Sequence, residues 1–407
     1  MKILVVSQYF WPEDFRINDL VNGLAGKGHK VTVLTGKPNY PVGKFFPGYG
    51  FFKKNVEHKD GVTIYRVPLI PRGQNNKILL SLNYFSFVFF GMLLGPFYCR
   101  QKFDLIFVFS VSPITTAIPA RFLGWLRKTP VIIWVQDLWP ESLTATGAIS
   151  NKYILKSVEV MVEWIYKGCG LVLVQSRAFT KSILGFSVPE TKIKYFPNSA
   201  ESIYKAVVND AQCEGIELLP DGFIVMFAGN IGVAQDFETI IEAARLTEHK
   251  SNIHWVILGE GRNYNWLKDE VERLEIAKTF HLLGRYPMED MPIFFAKADA
   301  MLVSLKKAEI FSMTIPSKIQ SYMACAKPII ASLEGEGARV IEESGAGISV
   351  DIEKPQSLAN AVLTMEKMNH EERVHMGVKG LEYYEKNFER TMLLEQLETI
   401  MTKVVEG

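Results

Sequence analysis

Short apolar runs alternate along this chain with longer segments in which apolar residues recur at helical spacing. In the first half, most runs are apolar at nearly every position, which is typical of strands buried on both faces of a parallel sheet. The strands predicted there are 2–6, 30–34, 62–67, 105–109, 131–135 and 171–174. Buried strands that alternate with helices predict an α/β fold.

The alternation stops near residue 197 and begins again near residue 222. The strands predicted in the second half are 223–228, 253–258, 280–283, 300–303, 328–331 and 348–350. A chain of 407 residues is long enough for two domains, each with its own core. We therefore predict two parallel α/β domains, 1–197 and 222–386, and a final helix within 387–407 that returns to the first domain. The linker between the domains is roughly 197–221.

Parallel α/β units bind ligands beyond the carboxyl ends of their strands, so we expect a site in a cleft between the two domains. Three predicted strands of the second domain end in glycine-containing loops, at 229–232, 259–262 and 283–286. Glycine lets the backbone approach a phosphate closely. Each loop taken singly is equally typical of a tight turn.

A further candidate site is the predicted helix that begins at Pro316, with Ser317 and Lys318 in its first turn. The free N–H groups of a helix N-terminus attract anions, and Lys318 adds a full positive charge, so a phosphate or diphosphate would fit there. The alternative is an ordinary helix start, because proline and serine are common at that position.

The composition limits the possible partners. A formal charge of +1 and a pI near 7.6 give no general attraction for nucleic acid. Four cysteines are scattered without a CxxC pair, which disfavours structural zinc and a disulfide framework and favours a reducing cytoplasm. No Asp-x-Asp pair occurs, so we expect neither a metal nor another cofactor.

One segment complicates this picture, because no charged residue occurs between Lys77 and Arg100. It is long enough to span a bilayer. Predicted strands of one sheet precede and follow it, however, and a single crossing would separate them. We predict a helix at 78–99 that partly covers the sheet and partly faces a membrane, and the alternative is a wholly buried helix. The side chains predicted to face lipid are Phe85, Phe87, Phe89, Phe90 and Leu93.

Several motifs of the second half occur in the order seen in a known family. They are FAGNIG at 227–232, LGEG at 258–261, LLGR at 282–285, ADA at 298–300, PSK at 316–318 and YMACAKP at 322–328. This half resembles the retaining family-four glycosyltransferases of GT-B fold, in which two Rossmann-like domains face each other across a cleft. In the first half, QYFWPEDFRINDL at 8–20, GHKVTVLTGKPNYP at 28–41 and DLWPES at 137–142 resemble the O-antigen and capsule branch. Within that branch, the resemblance is greatest to bacterial N-acetyl-L-fucosaminyltransferases.

The resemblance implies an enzyme that transfers a 2-acetamido sugar, N-acetyl-L-fucosamine, from UDP to a polyprenyl-diphosphate-linked saccharide with retention of configuration. It implies a cytoplasmic protein bound peripherally to the inner membrane face. The implied nucleotide-binding residues are Gly229, Asn230, Gly232, Gln235, Gly259, Gly261, Gly284, Arg285, Ser317 and Ser321.

Departures from the family pattern also matter. Many members place an Arg and a Lys at the leaving diphosphate, where this chain has Asn230 and Gln235. Their pair of glutamates falls at Met313 and Ser321. One cation in contact is worth about 1 kcal/mol in water and about 4 kcal/mol in a partly buried site, so we expect a substitute and name Lys318. Secondary candidates are Arg16, Arg285 and Lys306.

The remaining candidate residues lie in the first domain. Asp137 and Glu141 are expected near the transferred sugar, where they would orient hydroxyl groups or stabilise positive charge. Alternatively, Asp137 caps the helix that follows Trp139 and Pro140. Arg16 and Asn18 are candidate substrate contacts in the first matching motif.

Three other functions remain open from the sequence. A UDP-N-acetylhexosamine 2-epimerase has the same fold and donor, but it does not account for the apolar segment at 78–99. A dinucleotide dehydrogenase would carry an acidic residue at the end of its second strand, where this chain has Leu34, Thr35 and Gly36. A non-catalytic lipid-binding protein is the third.

Overall fold

The chain folds into two compact units, as seen in a computed structural model that describes residues 1–74, 76–145, 149, 151–207 and 212–407. One unit comprises Met1–Pro197 with Thr391–Gly407, and the other comprises Asn198–Arg390. Residues 198–207 and 212–221, which the sequence assigned to a linker, therefore group with the second unit. The predicted linker residues 208–211 lie outside the described part of the chain.

The first unit is built on an eight-stranded sheet in the order β3-β4-β2-β1-β5-β6-β7-β8. Every neighbouring pair is parallel except β3 with β4. Its strands are β1 (Lys2–Val6), β2 (Lys30–Gly36), β3 (Val56–Lys59), β4 (Val62–Val67), β5 (Leu105–Ser110), β6 (Val131–Val135), β7 (Leu171–Val174) and β8 (Ile193–Tyr195). The six predicted strands are present within two residues, and the sequence missed the short edge strands β3 and β8.

The first unit's helices are α1 (Ile17–Gly26), α2 (Lys77–Tyr98), α3 (Ala117–Arg127), α4 (Glu141–Ala145), α5 (Lys152–Lys167) and α6 (Phe179–Leu184), with the returning α15 (Arg390–Glu406). Apolar residues of α1 and α15, among them Leu24 and Leu397, pack on the sheet in one core. His29 links both chain ends, since its ring nitrogens lie 3.1 Å from the Met1 amino group and 2.7 Å from a Glu398 carboxylate oxygen.

The second unit contains a six-stranded parallel sheet in the order β11-β10-β9-β12-β13-β14. Its strands are β9 (Phe223–Ala228), β10 (Ile253–Leu258), β11 (Phe280–Gly284), β12 (Ala300–Ser304), β13 (Ile329–Ser332) and β14 (Gly347–Val350). Its helices are α7 (Phe237–Thr247), α8 (Tyr264–Arg273), α9 (Met291–Lys297), α10 (Glu309–Ser312), α11 (Ser317–Ala324), α12 (Glu336–Ser344), α13 (Pro355–Lys367) and α14 (His370–Asn387). Apolar side chains cover both sheet faces.

In each sheet the strand order reverses at one place, where chain connections leave in opposite directions. The reversal lies between β1 and β5 in the first sheet and between β9 and β12 in the second. At such a point the two carboxyl ends open a crevice that is the usual ligand site of α/β proteins. The fold therefore provides one candidate crevice in each unit.

Helix α2 is long and apolar enough to cross a membrane by length and composition. One face is nevertheless covered by the first unit, with Asn83, Phe87 and Gly91 buried. The prediction that Phe87 faces lipid is therefore wrong, because the helical turn directs this side chain into the unit. Phe85, Phe89 and Leu93 are exposed as predicted, and Phe90 is half-buried.

Candidate functional site

The N-terminus of α11 lies in the second unit and begins directly after Pro316. Proline fits this place because its fixed φ suits a helix start and it has no N–H to leave unpaired. No side chain of the structure's described residues caps this helix start. Ser317 is exposed, and the N–H of Ile319 already donates to the carbonyl of Pro316 at 3.0 Å.

The Lys318 side chain extends from this helix start toward the loop after β9. Its ammonium group donates a hydrogen bond to Gln235 Oε1 at 3.0 Å and lies 3.3 Å from the centroid of the Phe227 ring. A Cβ atom added at Gly229 would lie 3.1 Å from Lys318 Nζ. The structure therefore brings together Lys318, Gln235 and Gly229, three residues that the sequence had proposed separately.

The electrostatic state of Lys318 is unusual. Burial lowers the pKa of its ammonium well below the ordinary lysine value, and no charged group among the described residues opposes that effect. Within the described ranges, no carboxylate lies at ion-pair distance from its Nζ. A desolvated cation without a counter-ion attracts an anion strongly, because little water screens the interaction. The arrangement at Lys318 can therefore accept an anionic ligand.

The glycines of the neighbouring loops have a second, purely structural explanation. An added Cβ at Gly259 would lie 1.9 Å from the Gly229 carbonyl oxygen, and one at Gly261 would lie 2.3 Å from that of Ile231. Gly229 and Gly259 also adopt φ values of +136° and +143°, which other residues rarely adopt. These loops pack backbone against backbone, so their glycines are required even without a ligand.

The other predicted residues of the second unit lie around this loop pair. Gly284 has φ +79° and open space at its Cβ position, and Arg285 is exposed immediately after it. Lys306 forms an ion pair with Glu238 at 2.9 Å. Ser321 is buried and donates to the carbonyl of Ser317 at 3.3 Å, so its hydroxyl supports the start of α11.

The remaining glycine of the loop is explained by its neighbour. A Cβ added at Gly232 would lie 2.5 Å from Asn230 Nδ2, so the Asn230 amide occupies the space that a side chain would need. Asn230 and Gly232 are therefore packed against each other at the carboxyl end of β9.

In the first unit, Asp137 lies in the turn after β6 and accepts a hydrogen bond from the Ser142 hydroxyl. Burial raises the pKa of Asp137 above its ordinary value, although the hydrogen bonds from Ser142 and Trp139 oppose this effect. Glu141 is the first residue of the short helix α4. The bond from Ser142 ties the Asp137 carboxylate to that helix.

Asn18 has a structural role that is visible in its contacts. Its Nδ2 donates to the Glu13 carbonyl at 2.7 Å, and its Oδ1 accepts from the Trp11 N–H at 2.9 Å. Both ends of the amide thus hold the loop between β1 and α1. Arg16 precedes the first residue of α1 in this same loop.

The sequence did not single out Glu13, which joins two loops at the carboxyl edge of the first sheet. Its buried carboxylate accepts from the N–H groups of Phe10, Asn39 and Tyr40 at 3.3, 2.8 and 2.7 Å. Burial raises the pKa of Glu13 to about 7, even though these bonds favour the ionised form. A charged residue next to a proline in a loop carries no local signal of burial.

Aromatic rings surround this junction of loops. The rings of Tyr9 and Phe15 stack with centroids 5.1 Å apart, and Tyr40 contacts both. The Arg72 guanidinium lies 4.9 Å from the Tyr40 centroid. Aromatic faces with a nearby polar group are suited to contacts with apolar ring faces and hydroxyl groups of a ligand.

Several buried polar atoms near the strand reversal of the first sheet have no hydrogen-bond partner among the residues that the structure describes. They are Gln8 Oε1, Ser110 Oγ, Thr115 Oγ1 and Gln136 Nε2. Buried polar atoms are almost always paired, so such a group needs an explanation. Gln8, Ser110 and Gln136 each follow or end a central strand, so they lie at this crevice. A hydroxyl-rich ligand bound there would explain why these polar atoms have no partner.

No group of three or more His, Cys, Asp or Glu side chains is placed to hold a metal ion in the part of the chain that the structure describes.

Comparison with known families gives a match in each unit. Residues 15–199 match the family described as "Glycosyl transferase 4-like domain", and residues 212–382 match "Glycosyl transferases group 1". The chain is 26% identical over 376 residues to WcaI of Escherichia coli K12, which is named as a colanic acid biosynthesis glycosyl transferase. The match covers 88% of this chain and 89% of WcaI. It is 24% identical over 301 residues to the Pseudomonas aeruginosa glycosyltransferase WbjE, covering 72% of this chain and 73% of WbjE.

Solved structures share the fold at low sequence identity. Sucrose-phosphate synthase from Thermosynechococcus elongatus has a TM-score of 0.77 at 16% identity, with 99% of this chain and 98% of that chain covered. Anabaena HepE, solved in complex with UDP, has a TM-score of 0.71 at 16% identity, with 99% of this chain and 100% of that chain covered.

Proposed function

Because this chain belongs to the group 1 glycosyltransferases and has their GT-B fold, we propose that it transfers a 2-acetamido sugar from a UDP-sugar to a lipid-diphosphate-linked saccharide. The proposed sugar is N-acetyl-L-fucosamine, and the product belongs to a surface polysaccharide such as O-antigen or capsule. The names of WcaI and WbjE support a role in polysaccharide synthesis. The complex of HepE with UDP supports a uridine nucleotide as the donor.

The observation that carries this proposal is the unneutralised ammonium of Lys318 beside the loop after β9. In sugar transfer from a nucleotide, the barrier is the departure of the nucleoside diphosphate, on which negative charge develops. A preorganised cation in a dry site stabilises that charge more in the transition state than in the ground state. Lys318 would do this together with backbone N–H groups at the start of α11. Gln235 holds the ammonium in place.

The acceptor hydroxyl would bind at the first unit's crevice, near its unpaired polar atoms and aromatic rings. There, Asp137 would orient hydroxyl groups or stabilise positive charge on the sugar, and Glu141 would assist. We propose retention of configuration, with the leaving diphosphate taking the acceptor proton, so that no separate general base and no metal is needed. A lipid-linked acceptor would place the enzyme at the inner face of the cytoplasmic membrane.

The first test is UDP release across a panel of UDP-sugars, with polyprenyl-diphosphate-GlcNAc as the acceptor. We expect release only when a UDP-2-acetamido sugar and the acceptor are both present, and most rapidly with UDP-N-acetyl-L-fucosamine. A new nucleotide sugar formed from the donor alone would instead indicate the 2-epimerase. No release with any pair would contradict the proposal.

The second test is Lys318→Ala, with Lys268→Ala as the control. Lys268 is an exposed lysine on α8 of the same unit, so its removal changes the net charge equally without touching the site. We expect the Lys318 variant to lose roughly 10²- to 10³-fold in kcat, the range for one charge-stabilising donor, and the control to keep its rate. An unchanged rate for folded Lys318→Ala would remove this lysine from the mechanism.

A further inference from the structure

Three helices of the first unit lie on one face of its sheet. Helices α2, α3 and α5 connect β4 to β5, β5 to β6 and β6 to β7, and these steps all run in the same direction across the sheet. Right-handed crossovers in one direction place their helices on the same face. Contacts agree, because an added Cβ at Gly95 would touch Leu123 at 3.3 Å and Arg121 lies 3.7 Å from the Trp164 ring centroid.

The outer side of α2 carries an apolar stripe along its whole length. Its members recur every three or four residues, so they share one helical face, opposite the buried one. They are Ile78, Leu82, Phe85, Phe89, Leu93 and Phe97. Phe85 and Phe89 are 68% and 61% exposed. Monomeric proteins rarely expose so long an apolar patch, which indicates a binding surface.

The end of α3 continues this surface with four consecutive exposed residues. They are Trp125, Leu126, Arg127 and Lys128, and Trp125 is 74% exposed. The tip adjoins the C-terminal part of α2, because the Arg127 guanidinium donates to the Pro96 carbonyl at 3.1 Å. Tryptophan and long basic side chains together are typical of the boundary between lipid tails and headgroups.

The charge of residues 77–128, which include α2 and α3, indicates the kind of partner. From Lys77 through Lys128 the sequence holds six basic residues, and Asp104 is the only acidic one. Arg100, at the end of α2, stacks over Phe97 with 5.9 Å to the ring centroid. Apolar stripes bordered by basic residues bind anionic bilayers, through burial in the acyl region and attraction to the headgroups.

We propose that the α2 stripe and the α3 tip form one docking surface for a bilayer with anionic headgroups, on which α2 lies flat rather than crossing. The flat orientation follows because the other side of α2 is buried against the unit's own sheet. The α2 stripe enters the acyl region, and Arg127, Lys128 and Arg100 contact headgroup phosphates. This surface would fix how the enzyme lies on the membrane that the proposed function requires. The docking proposal rests on that function only where it assumes a lipid-linked acceptor.

The test uses the full-length protein and co-sedimentation with two kinds of vesicle, phosphatidylcholine alone and phosphatidylcholine with phosphatidylglycerol. The variants are Phe85→Ser with Phe89→Ser, Arg127→Glu with Lys128→Glu, and a control, Lys367→Glu with Lys386→Glu, at exposed lysines of the second unit. All changed side chains are exposed, and thermal unfolding of each variant verifies the fold.

We expect wild type and control to bind anionic vesicles at least about tenfold more strongly than neutral ones. The Arg127 and Lys128 variant should lose this preference, and the phenylalanine variant should bind neither kind of vesicle. Equal binding of wild type to both vesicles would overturn the anionic part of the proposal. Undiminished binding of the phenylalanine variant, or no binding of wild type, would overturn the docking surface and favour a protein partner.

These outcomes are separable from those of the proposed function. Transfer to a short-chain, water-soluble acceptor should proceed equally in the docking variants and in wild type. If no transfer occurs with any protein while anionic vesicles are bound as expected, the proposed function fails and the docking surface stands.

Discussion

Lys318 shows how the surroundings of one residue are set by neighbours that are far away in sequence. Its side chain contacts Gln235 and the Phe227 ring, which are more than eighty residues earlier in the chain. The sequence resemblance implies basic residues at the positions of Asn230 and Gln235 in many family members, and here the Lys318 ammonium approaches the same loop from α11. A cation arriving from another element can stabilise the same charge, since the Coulomb energy depends on distance and not on connectivity.

The lowered pKa of Lys318 predicts a pH dependence of UDP binding. A lysine of depressed pKa loses its proton at a lower pH than an exposed one, so UDP affinity should fall as pH rises through the lowered value. Lys318→Arg keeps its charge throughout and should flatten this dependence. Isothermal titration calorimetry at a series of pH values below about 10.4, the ordinary lysine pKa, measures it. Parallel slopes for both proteins would show that another group binds the diphosphate.

The two kinds of glycine at the strand ends predict different costs of substitution. Gly259→Ala should cost about 3 kcal/mol, because its Cβ would lie 1.9 Å from a carbonyl oxygen and its φ is +143°. Gly284→Ala has positive φ but open space, so about 1 to 2 kcal/mol is expected. Denaturant unfolding of both variants gives the comparison. Equal costs would mean that the loops after β9 and β10 separate easily.

At the scale of elements, Glu13 makes the loops after β1 and β2 one structure. The carboxylate accepts from backbone N–H groups of both loops, while Arg66 donates to the Trp11 carbonyl at 2.5 Å in the first of them. Both loops leave the carboxyl edge of the sheet near the strand reversal. Their relative position, and with it the ring cluster of Tyr9, Phe15 and Tyr40, therefore depends on this buried group.

Glu13→Gln should remove a pH-dependent part of the stability. The folded pKa of Glu13 is about 7, above the ordinary 4.5, so between these values the folded protein binds more protons than the unfolded chain. The contribution of Glu13 is fully present below about pH 4.5 and is lost as pH rises through 7, by about 3 kcal/mol. Urea unfolding of both proteins at several pH values gives this difference. A constant difference would mean that Glu13 titrates normally.

Helix α2 illustrates a limit of reasoning from a single element. Its composition permits a membrane span, a buried helix or an interfacial helix. The position between β4 and β5 of one sheet decides among them, because one face must pack on that sheet. Only then do the exposed residues form a stripe with a defined direction.

At the scale of the whole molecule, the chain's end completes the unit formed by its beginning. Helix α15 supplies Leu394, Leu397 and Met401 to the core that α1 and the first sheet share. Glu398 of the same helix binds Lys27 at 2.8 Å and the His29 ring. Helix α15 is therefore needed to bury the apolar face of the first unit's sheet fully.

Leu397→Ala should destabilise the first unit selectively. Removing a fully buried leucine costs about 2 to 5 kcal/mol, and Leu397 packs within the core of that unit. Leu358→Ala is the matched control, since Leu358 is equally buried in the core of the second unit. In differential scanning calorimetry, Leu397→Ala should lower the midpoint temperature of one unfolding transition, and Leu358→Ala should lower that of another. The same transition lowered in both would mean that the two units unfold together.

The sequence by itself determined the buried strands, the division into two α/β halves and the glycine-ended loops, because each of these is written in local patterns of apolar and turn-forming residues. It also indicated the α11 start and named Lys318 as the cation there. It missed β3 and β8, which are short and half-exposed, since such edge strands have little apolar alternation to detect.

Only the tertiary structure decided which residues meet. It placed Lys318 beside Gln235, turned Phe87 inward, buried Glu13 between two loops and set the exposed tip of α3 next to α2. Each of these depends on contacts between residues distant in the chain. The physical reason is that periodicity reports which face of an element is apolar, whereas charge, burial and proximity at a site arise from the packing of elements against each other.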